Sequence, residues 1–292
     1  MATLIQTVNL MRTRGWTAFA FGGTPRGIYD NGKQYRPRDL DLVFDDEHFL
    51  SFESAFERYI VRRNSYGGLR MNVEGLSIDA WPLKNTWAFR QGWMKPATFE
   101  NLPATTFLNI DAIIIEITPH RGKQRRVFEK GFFSGWHDKT MDINFEPNPY
   151  PAICVARTLH MARRFGFRLS RRLVVYLWRM LGKIELSVLE RWQIKHYGYV
   201  EFEIPVMRKI RVELERYLEE HTLFPMALFQ VRPEQLFFPN RFVSYSKHES
   251  RVHELRESEM RTKPYSRSDP EEMIVEQDLF VEGLFRDVLK ST

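Results

Sequence analysis

Two carboxylates stand two residues apart in the segment RPRDLDLVF (36–44), where Asp39 and Asp41 alternate with apolar residues. Side chains two apart on a β-strand point to the same face. A strand here would therefore present both carboxylates on one side and bury the leucines and the phenylalanine on the other. Two carboxylates on one face are suited to holding divalent metal ions.

A third carboxylate lies in the apolar run GLSIDAWPL (75–83). Asp79 is flanked there by apolar residues, where a carboxylate is costly unless it is paired or bound to metal. Three such groups can hold two divalent ions about 3.5–4 Å apart, which make an attacking hydroxyl more acidic and neutralise a pyrophosphate leaving group. Hard oxygen ligands suit Mg²⁺. We therefore expect two Mg²⁺ ions, with Mn²⁺ as the alternative, at Asp39, Asp41 and Asp79, and Asp79 is also the candidate base for the attacking hydroxyl.

A diglycine precedes the carboxylates. Gly22 and Gly23 follow a short apolar run, and without Cβ atoms they let the backbone approach a phosphate closely. A helix that starts near Thr24 and Pro25 would aim free N–H groups at that phosphate. Arg26 would balance its charge. The ordered set predicts a site that transfers a nucleoside monophosphate from a triphosphate.

This set resembles the nucleotidyltransferase superfamily, and most closely the head domain shared by bacterial poly(A) polymerases and tRNA CCA-adding enzymes. The family pattern of GGxxR, a spacer and DxD is matched by Gly22, Gly23, Arg26, Asp39 and Asp41. The segment ARTLHMARRFGF (156–167) is similar to the family's LRAxRFAxRFGF helix, with Arg157 at the position of an arginine that contacts the nucleotide. The segment TFLNIDAIIIEI (106–117) is similar to one that ends in TINAI, with Asp111 in place of Asn. The resemblance implies that Arg157 and Asp111 hold the ribose or the base.

The sequence also departs from the family pattern. Residues 105–107 (TTF) replace the paired arginines and the aspartate expected there. Pro151 and Cys154 stand where the later helix usually has Asp and Arg. The acidic-and-arginine template that chooses CTP and ATP has no convincing match. The resemblance, which covers about residues 1–170, therefore supports the catalytic apparatus better than a CCA product.

The composition is that of a globular protein. The 292 residues are 43% hydrophobic and include 23 Phe and 7 Trp, enough to bury a sizeable core. The single cysteine, Cys154, excludes an intrachain disulfide framework and a Cys-based zinc site, and it suits a reducing cytoplasm. The sequence shows neither a signal peptide nor a run of membrane-spanning length. We expect a soluble cytoplasmic protein that does not enter a membrane.

Positive charge is concentrated in residues 151–200, which hold ten Lys and Arg against two Glu. Five aromatic residues are interleaved with these charges: Tyr176, Trp178, Trp192, Tyr197 and Tyr199. A basic surface attracts a phosphate backbone through counterion release, and aromatic rings stack on unpaired bases. The alternative is a solvated outer face over an aromatic core. Beside a head of this type, RNA is the preferred partner.

The periodicity of apolar residues predicts an α+β fold. A nucleotidyltransferase-type mixed-sheet head with flanking helices is expected over residues 1–147, followed by an all-helical body with a basic RNA-binding face over 148–243. We expect a charged linker and an acidic amphipathic helix over 244–292, which folds back or binds a protein partner. The expected strands are 17–22, 39–44, 76–83 and 110–117, and the expected helices include 46–61, 149–166, 170–183, 185–197 and 203–220.

These features together predict a metal-dependent nucleotidyltransferase that acts on an RNA acceptor, with a tRNA 3′ end preferred. A toxin or phage-defence nucleotidyltransferase that inactivates tRNA or another target would share the same site. A catalytically silent RNA-binding module built on the same head is a further alternative. The retained trio of carboxylates argues against that last alternative.

Overall fold

The computed structural model describes the chain over residues 2–32, 35, 37–117, 124–220 and 223–229. The linker and amphipathic helix expected over 244–292 lie outside these residues. None of the described helices is long and apolar enough to cross a membrane.

A mixed sheet of seven strands forms the centre of the head in the described part of the chain. Its strands are β1 (Ala18–Phe21), β2 (Asp39–Phe44), β3 (Ile60–Arg63), β4 (Leu69–Val73), β5 (Leu76–Pro82), β6 (Ile113–Glu116) and β7 (Val127–Glu129). They lie in the order β3-β4-β5-β2-β1-β6-β7, and only the pair of β2 and β5 is parallel. The strands predicted at 17–22, 39–44 and 76–83 are confirmed. The strand predicted at 110–117 starts later, at Ile113, because residues 109–111 form a 3-10 turn.

The head also contains the helices α1 (Ala2–Thr13), α2 (Gly23–Asn31), α3 (Asp46–Ala55), α4 (Trp87–Arg90) and α5 (Phe132–His137). Asp45 caps α3, because its carboxylate accepts a hydrogen bond from the backbone N–H of Glu47 at 3.2 Å. The acidic residues that follow the cap suit the positive end of the helix dipole. The predicted start of this helix is confirmed.

The predicted extent of α3 is wrong. The helix ends at Ala55, a 3-10 turn follows, and β3 begins at Ile60. The apolar spacing continues past the end of the helix because Phe56 and Ile60 reach the same core from the turn and the strand. Helical spacing alone therefore overestimated the length of α3.

Both faces of β2 are covered. Leu40, Leu42 and Phe44 point into a core shared with α1 and α3, as the alternation predicted, and Phe44 stacks on Phe52 with ring centroids 4.1 Å apart. On the opposite face, Val43 belongs to a second cluster with Phe19, Leu83, Phe89, Phe99, Leu102 and Ile114. This cluster closes the carboxylate face at the far end of the strand. Asp39 and Asp41, nearer the start of β2, keep partial exposure.

The body consists of α6 (Pro151–Phe165), α7 (Arg171–Lys183), α8 (Leu186–Tyr197) and α9 (Ile204–Glu219), which confirm the four predicted helices. They share one core with apolar side chains from residues 107–143 of the preceding chain. The body is not purely helical. Strand β9 (Arg168–Leu169) pairs with β8 (Thr140–Met141), because the chain between α6 and α7 runs extended beside the end of the head.

Candidate active site

Three carboxylates lie on two adjacent strands. Asp41 of β2 is opposite Asp79 of β5 in the parallel register, and Asp39 is opposite Ser77. Residues paired in this way project to the same face of a sheet. The topology therefore brings together three acidic residues that are 40 positions apart at their extremes. All three keep intermediate exposure, so the face on which they lie is open to solvent.

The carboxylates repel one another. Burial raises the pKa of Asp41, and the charges of Asp39 and Asp79 raise it further, to about 7, while Arg157 and Arg70 act in the opposite direction. Negative charge at this site therefore exceeds what the nearby arginines compensate. A divalent cation bound by hard oxygen ligands would relieve that repulsion.

Asp79 already has a counter-ion. Arg70 of β4, its neighbour in the antiparallel register, donates from Nε to Oδ1 at 3.0 Å and from Nη2 to Oδ2 at 2.7 Å. The hydrogen bond and charge of Asp79 raise the pKa of Arg70, and Asp39 and Asp41 add to that effect. The guanidinium is thus paired with Asp79 and interacts at longer range with the charges of Asp39 and Asp41.

Arg70 was not identified from the sequence, although a signal for it exists. Glu74 and Gly75 both have positive φ, at 51° and 87°, and form the two-residue turn between β4 and β5. Such a turn fixes the register of a hairpin, so Arg70 and Asp79, equally distant from it, must face each other. The dipeptide Glu-Gly is a weaker turn signal than Asn-Gly, and it was not read as one.

The donor set fits a divalent ion only in part. Among the residues that the structure describes, no three His, Cys, Asp or Glu side chains are arranged to hold a metal ion as they stand. Both oxygens of Asp79 accept hydrogen bonds from Arg70. Asp39 is bound by Arg38, whose side chain is 81% exposed, so this pair exchanges easily with water or a ligand. Asp39 and Asp41 therefore offer hard oxygen donors to Mg²⁺, whereas Asp79 must first leave Arg70.

The diglycine lies beside these carboxylates. Gly22 has φ 65° and precedes the first turn of α2, a conformation that a side chain would strain. A Cβ at this position would stand 3.8 Å from Oδ2 of Asp41. Thr24, in the first turn, donates its hydroxyl to the carbonyl oxygen of Asp39 at 3.1 Å. The start of α2 and the start of β2 are thus fixed to each other.

The other three predicted nucleotide contacts form one ion cluster. Arg26 of α2 donates to Oδ1 of Asp111. Arg157 of α6 donates from Nε to Oδ2 at 2.9 Å, and its Nη2 forms an ion pair with the same oxygen at 2.9 Å. Asp111 is 5% exposed and Arg26 8%, whereas the side chain of Arg157 is 40% exposed. Burial, with the charges of Arg157 and Arg164, lowers the pKa of Arg26 to about 9. Arg157 is therefore the member of the cluster that reaches open space.

No protein-family model matches the sequence, and no curated protein matches it. Among solved structures, it is similar to a Thermotoga maritima CCA-adding enzyme complexed with tRNA, with a TM-score of 0.54 and 12% identity over 98% of this chain and 82% of that one. A CCA-adding enzyme with CTP gives 0.53 and 13% over 96% and 63%. A tRNA-processing enzyme in an apo form gives 0.52 and 17% over 79% and 63%.

The chain spans about three fifths of the length of the first solved structures that it matches. Identities this low show a shared fold rather than a shared activity. The described part of this chain has a mixed seven-stranded sheet with β2 and β5 parallel, followed by helices. The chain therefore has a nucleotidyltransferase-type fold that resembles the fold of CCA-adding enzymes.

Proposed function

We propose that this protein is a metal-dependent nucleotidyltransferase that moves a nucleoside monophosphate from a triphosphate to an RNA acceptor, with a tRNA 3′ end preferred. One observation carries the proposal: Asp41 faces Asp79 across the parallel strands, with Gly22 beside Asp41. Similar solved structures are a CCA-adding enzyme with CTP and one with tRNA, which supports a nucleotide and tRNA as the two substrates.

In this proposal Asp39 and Asp41 would hold two Mg²⁺ ions, and Asp79 would become the third ligand when Arg70 releases it. Bound Mg²⁺ supplies acidification of the acceptor hydroxyl and neutralisation of the pyrophosphate. Asp79 would also be the base that accepts the proton of that hydroxyl; its position on the same face as Asp41 supports this role. Gly22 and the first turn of α2 present backbone N–H groups to the triphosphate.

Arg157 would contact the nucleotide directly, and the two residues behind it would act by positioning. Asp111 fixes the guanidinium of Arg157 through a hydrogen bond from Nε and an ion pair with Nη2. Arg26 neutralises Asp111 from the buried side, so the cluster keeps one net positive charge. That charge would face the ribose or the base of the nucleotide. Arg26 therefore contributes to triphosphate binding through Asp111 rather than by contact.

The body supplies a basic surface for the acceptor. A groove of about 410 Å³ is lined by Glu146, Arg171, Arg172, Val175, Tyr176 and Arg179. Arg179 is paired with Glu146, whereas the hydrogen bond that Arg172 makes within the described residues goes to the backbone carbonyl of Ile143, at 3.3 Å. The groove thus keeps positive charge available for a phosphate backbone. This supports RNA as the partner of the proposed enzyme.

The direct test is incorporation of labelled nucleotide. Purified protein is incubated with total RNA, Mg²⁺ and each of the four labelled triphosphates in turn. The variant Asp41→Asn is assayed in the same way. The control is Asp138→Asn, because Asp138 is an exposed carboxylate that follows α5. Label should enter RNA with the wild type and the control. Asp41→Asn should lower the rate by more than about 10³-fold, because both metal ions lose a shared ligand. Undiminished transfer by a folded Asp41→Asn variant would exclude this site.

A further inference from the structure

Two rings on α8 form a stack at the edge of the body. Trp192 and His196, one helical turn apart, have ring centroids 5.1 Å apart and planes inclined by 20°. Tyr150, just before α6, lies 6.2 Å from Trp192, and Nζ of Lys195 lies 4.6 Å from the centroid of the Trp192 ring. Trp192 is half-buried and His196 is exposed. The outer ring of the stack is therefore accessible to a ligand.

The stack lies on α8, which packs against α6, the helix that carries Arg157: Tyr150 lies beside Trp192, and His160 of α6 stacks on Tyr197 of α8. Burial and Lys195 lower the pKa of His196, and the charges of Arg157 and Arg38 lower it further. Arg157 belongs to the ion cluster with Asp111, and Arg38 is bound to Asp39. His196 is therefore within electrostatic reach of both arginines. Its ring is kept neutral near pH 7, which suits stacking.

A second stacked pair holds the end of α8 against α6. His160 stacks on Tyr197, with centroids 4.5 Å apart and planes inclined by 21°, and its Nδ1 lies 2.6 Å from Oε2 of Glu201. Gly198, at φ 82°, ends α8 in the left-handed conformation and turns the chain back so that Glu201 reaches His160. These contacts join the C-terminal end of α8, next to His196, to α6.

We infer that the Trp192–His196 stack is the platform for the base of the bound triphosphate; this rests on the proposed function. At the start of α6 the Pro151 side chain has no donor and the Cys154 thiol is buried, so neither side chain can donate a hydrogen bond to a base. Stacking accepts every base, since each has a π-face. The substrates are therefore purine and pyrimidine triphosphates alike, with purines bound more tightly through their larger rings.

The experiment measures binding rather than turnover. Dissociation constants for ATP, GTP, CTP, UTP and inorganic tripolyphosphate are measured with Mg²⁺ for the wild type, Trp192→Leu and His196→Ala. Each variant should weaken all four nucleotides about tenfold and leave tripolyphosphate unchanged, because only the base loses its platform. His196→Ala changes an exposed ring and so tests the stack even where Trp192→Leu fails to fold. Trp93→Leu, which alters a tryptophan 60% exposed in the head, is the matched control.

The outcomes separate this inference from the proposed function. Nucleotide affinities that stay at the wild-type value in both variants would overturn the platform and leave the nucleotidyltransferase proposal standing. If the variants lost affinity for RNA alone, the two rings would bind the RNA acceptor instead, and the platform would be overturned as well. A loss confined to one nucleotide would contradict stacking as the means of recognition. If the wild type bound neither nucleotides nor tripolyphosphate, the proposed function itself would fail.

Discussion

Arg70 and Asp79 lie opposite each other on β4 and β5 and are joined by two hydrogen bonds, so the carboxylate that faces Asp41 is already neutralised. A bidentate arginine occupies both oxygens of its partner and adds a positive charge where a metal ion would bind. The pair therefore opposes metal binding until a ligand draws Asp79 away. Arg70 therefore affects metal binding at the site, although it is not one of the three carboxylates.

The first prediction concerns Arg70→Gln. The substitution frees Asp79 and removes one positive charge, so the nucleotide-free protein should bind Mn²⁺ about tenfold more tightly. Isothermal titration calorimetry measures this affinity. Arg62→Gln is the matched control, because Arg62 is an exposed arginine that lies opposite Arg70 in the register of β3 and β4. A fall in Mn²⁺ affinity with Arg70→Gln would mean that Arg70 positions Asp79 for the metal rather than competing with it.

The second prediction concerns pH. Folding raises the pKa of Asp41 from 3.8 to about 7, so the folded state holds a proton that the unfolded state has lost over this interval. The contribution of Asp41 to stability is therefore full below pH about 4 and is lost as the pH rises to about 7, by at most about 4 kcal/mol. Without metal, Asp41→Asn should be more stable than the wild type at pH 8 and equally stable at pH 4.

Urea unfolding at several pH values, in the presence of a chelator, measures this difference. Mg²⁺ should reduce the difference in free energy of unfolding between the two proteins at pH 8, because Mg²⁺ bound to the carboxylates stabilises the folded wild type. If the difference in free energy of unfolding did not change with pH, folding would not raise the pKa of Asp41. The same variant is the one expected to lose transfer, so stability and activity should change in opposite directions.

The third prediction concerns the buried ion cluster. Asp111→Asn leaves Arg26 buried without its charged partner, which should lower the free energy of unfolding by about 3–5 kcal/mol. The double change of Asp111→Leu with Arg26→Met removes both buried charges and should recover much of that loss. Arg157→Gln, at the exposed end of the cluster, should cost less than about 1 kcal/mol and weaken nucleotide binding instead. Equal destabilisation by all three variants would contradict the proposal that Asp111 and Arg26 act by positioning and that Arg157 contacts the nucleotide.

Much of the carboxylate face follows from local patterns. The alternation of Asp39 and Asp41 with leucines requires a strand with one acidic and one apolar face, and the apolar neighbours of Asp79 require another. Their adjacency follows once the family of folds is recognised. The contact of Arg26 with Asp111 could not be predicted, because 85 residues separate them and neither motif specifies the partner of its charged residue. Ion pairs between distant elements depend on packing that periodicity does not encode.

The last prediction concerns RNA binding by the body. If the groove on α7 holds a phosphate backbone, the logarithm of the binding constant should fall linearly with the logarithm of salt concentration. Arg172→Ala removes a cation that lines the groove, so it should weaken binding at low salt and reduce the slope by about 0.7 for a single-stranded contact. Arg216→Ala, which removes an exposed arginine paired with Glu213 on α9, is the control and should leave the slope unchanged. Fluorescence anisotropy with a labelled tRNA acceptor end at several salt concentrations gives both quantities. Equal slopes for the wild type and Arg172→Ala would mean that the backbone binds elsewhere on the basic body.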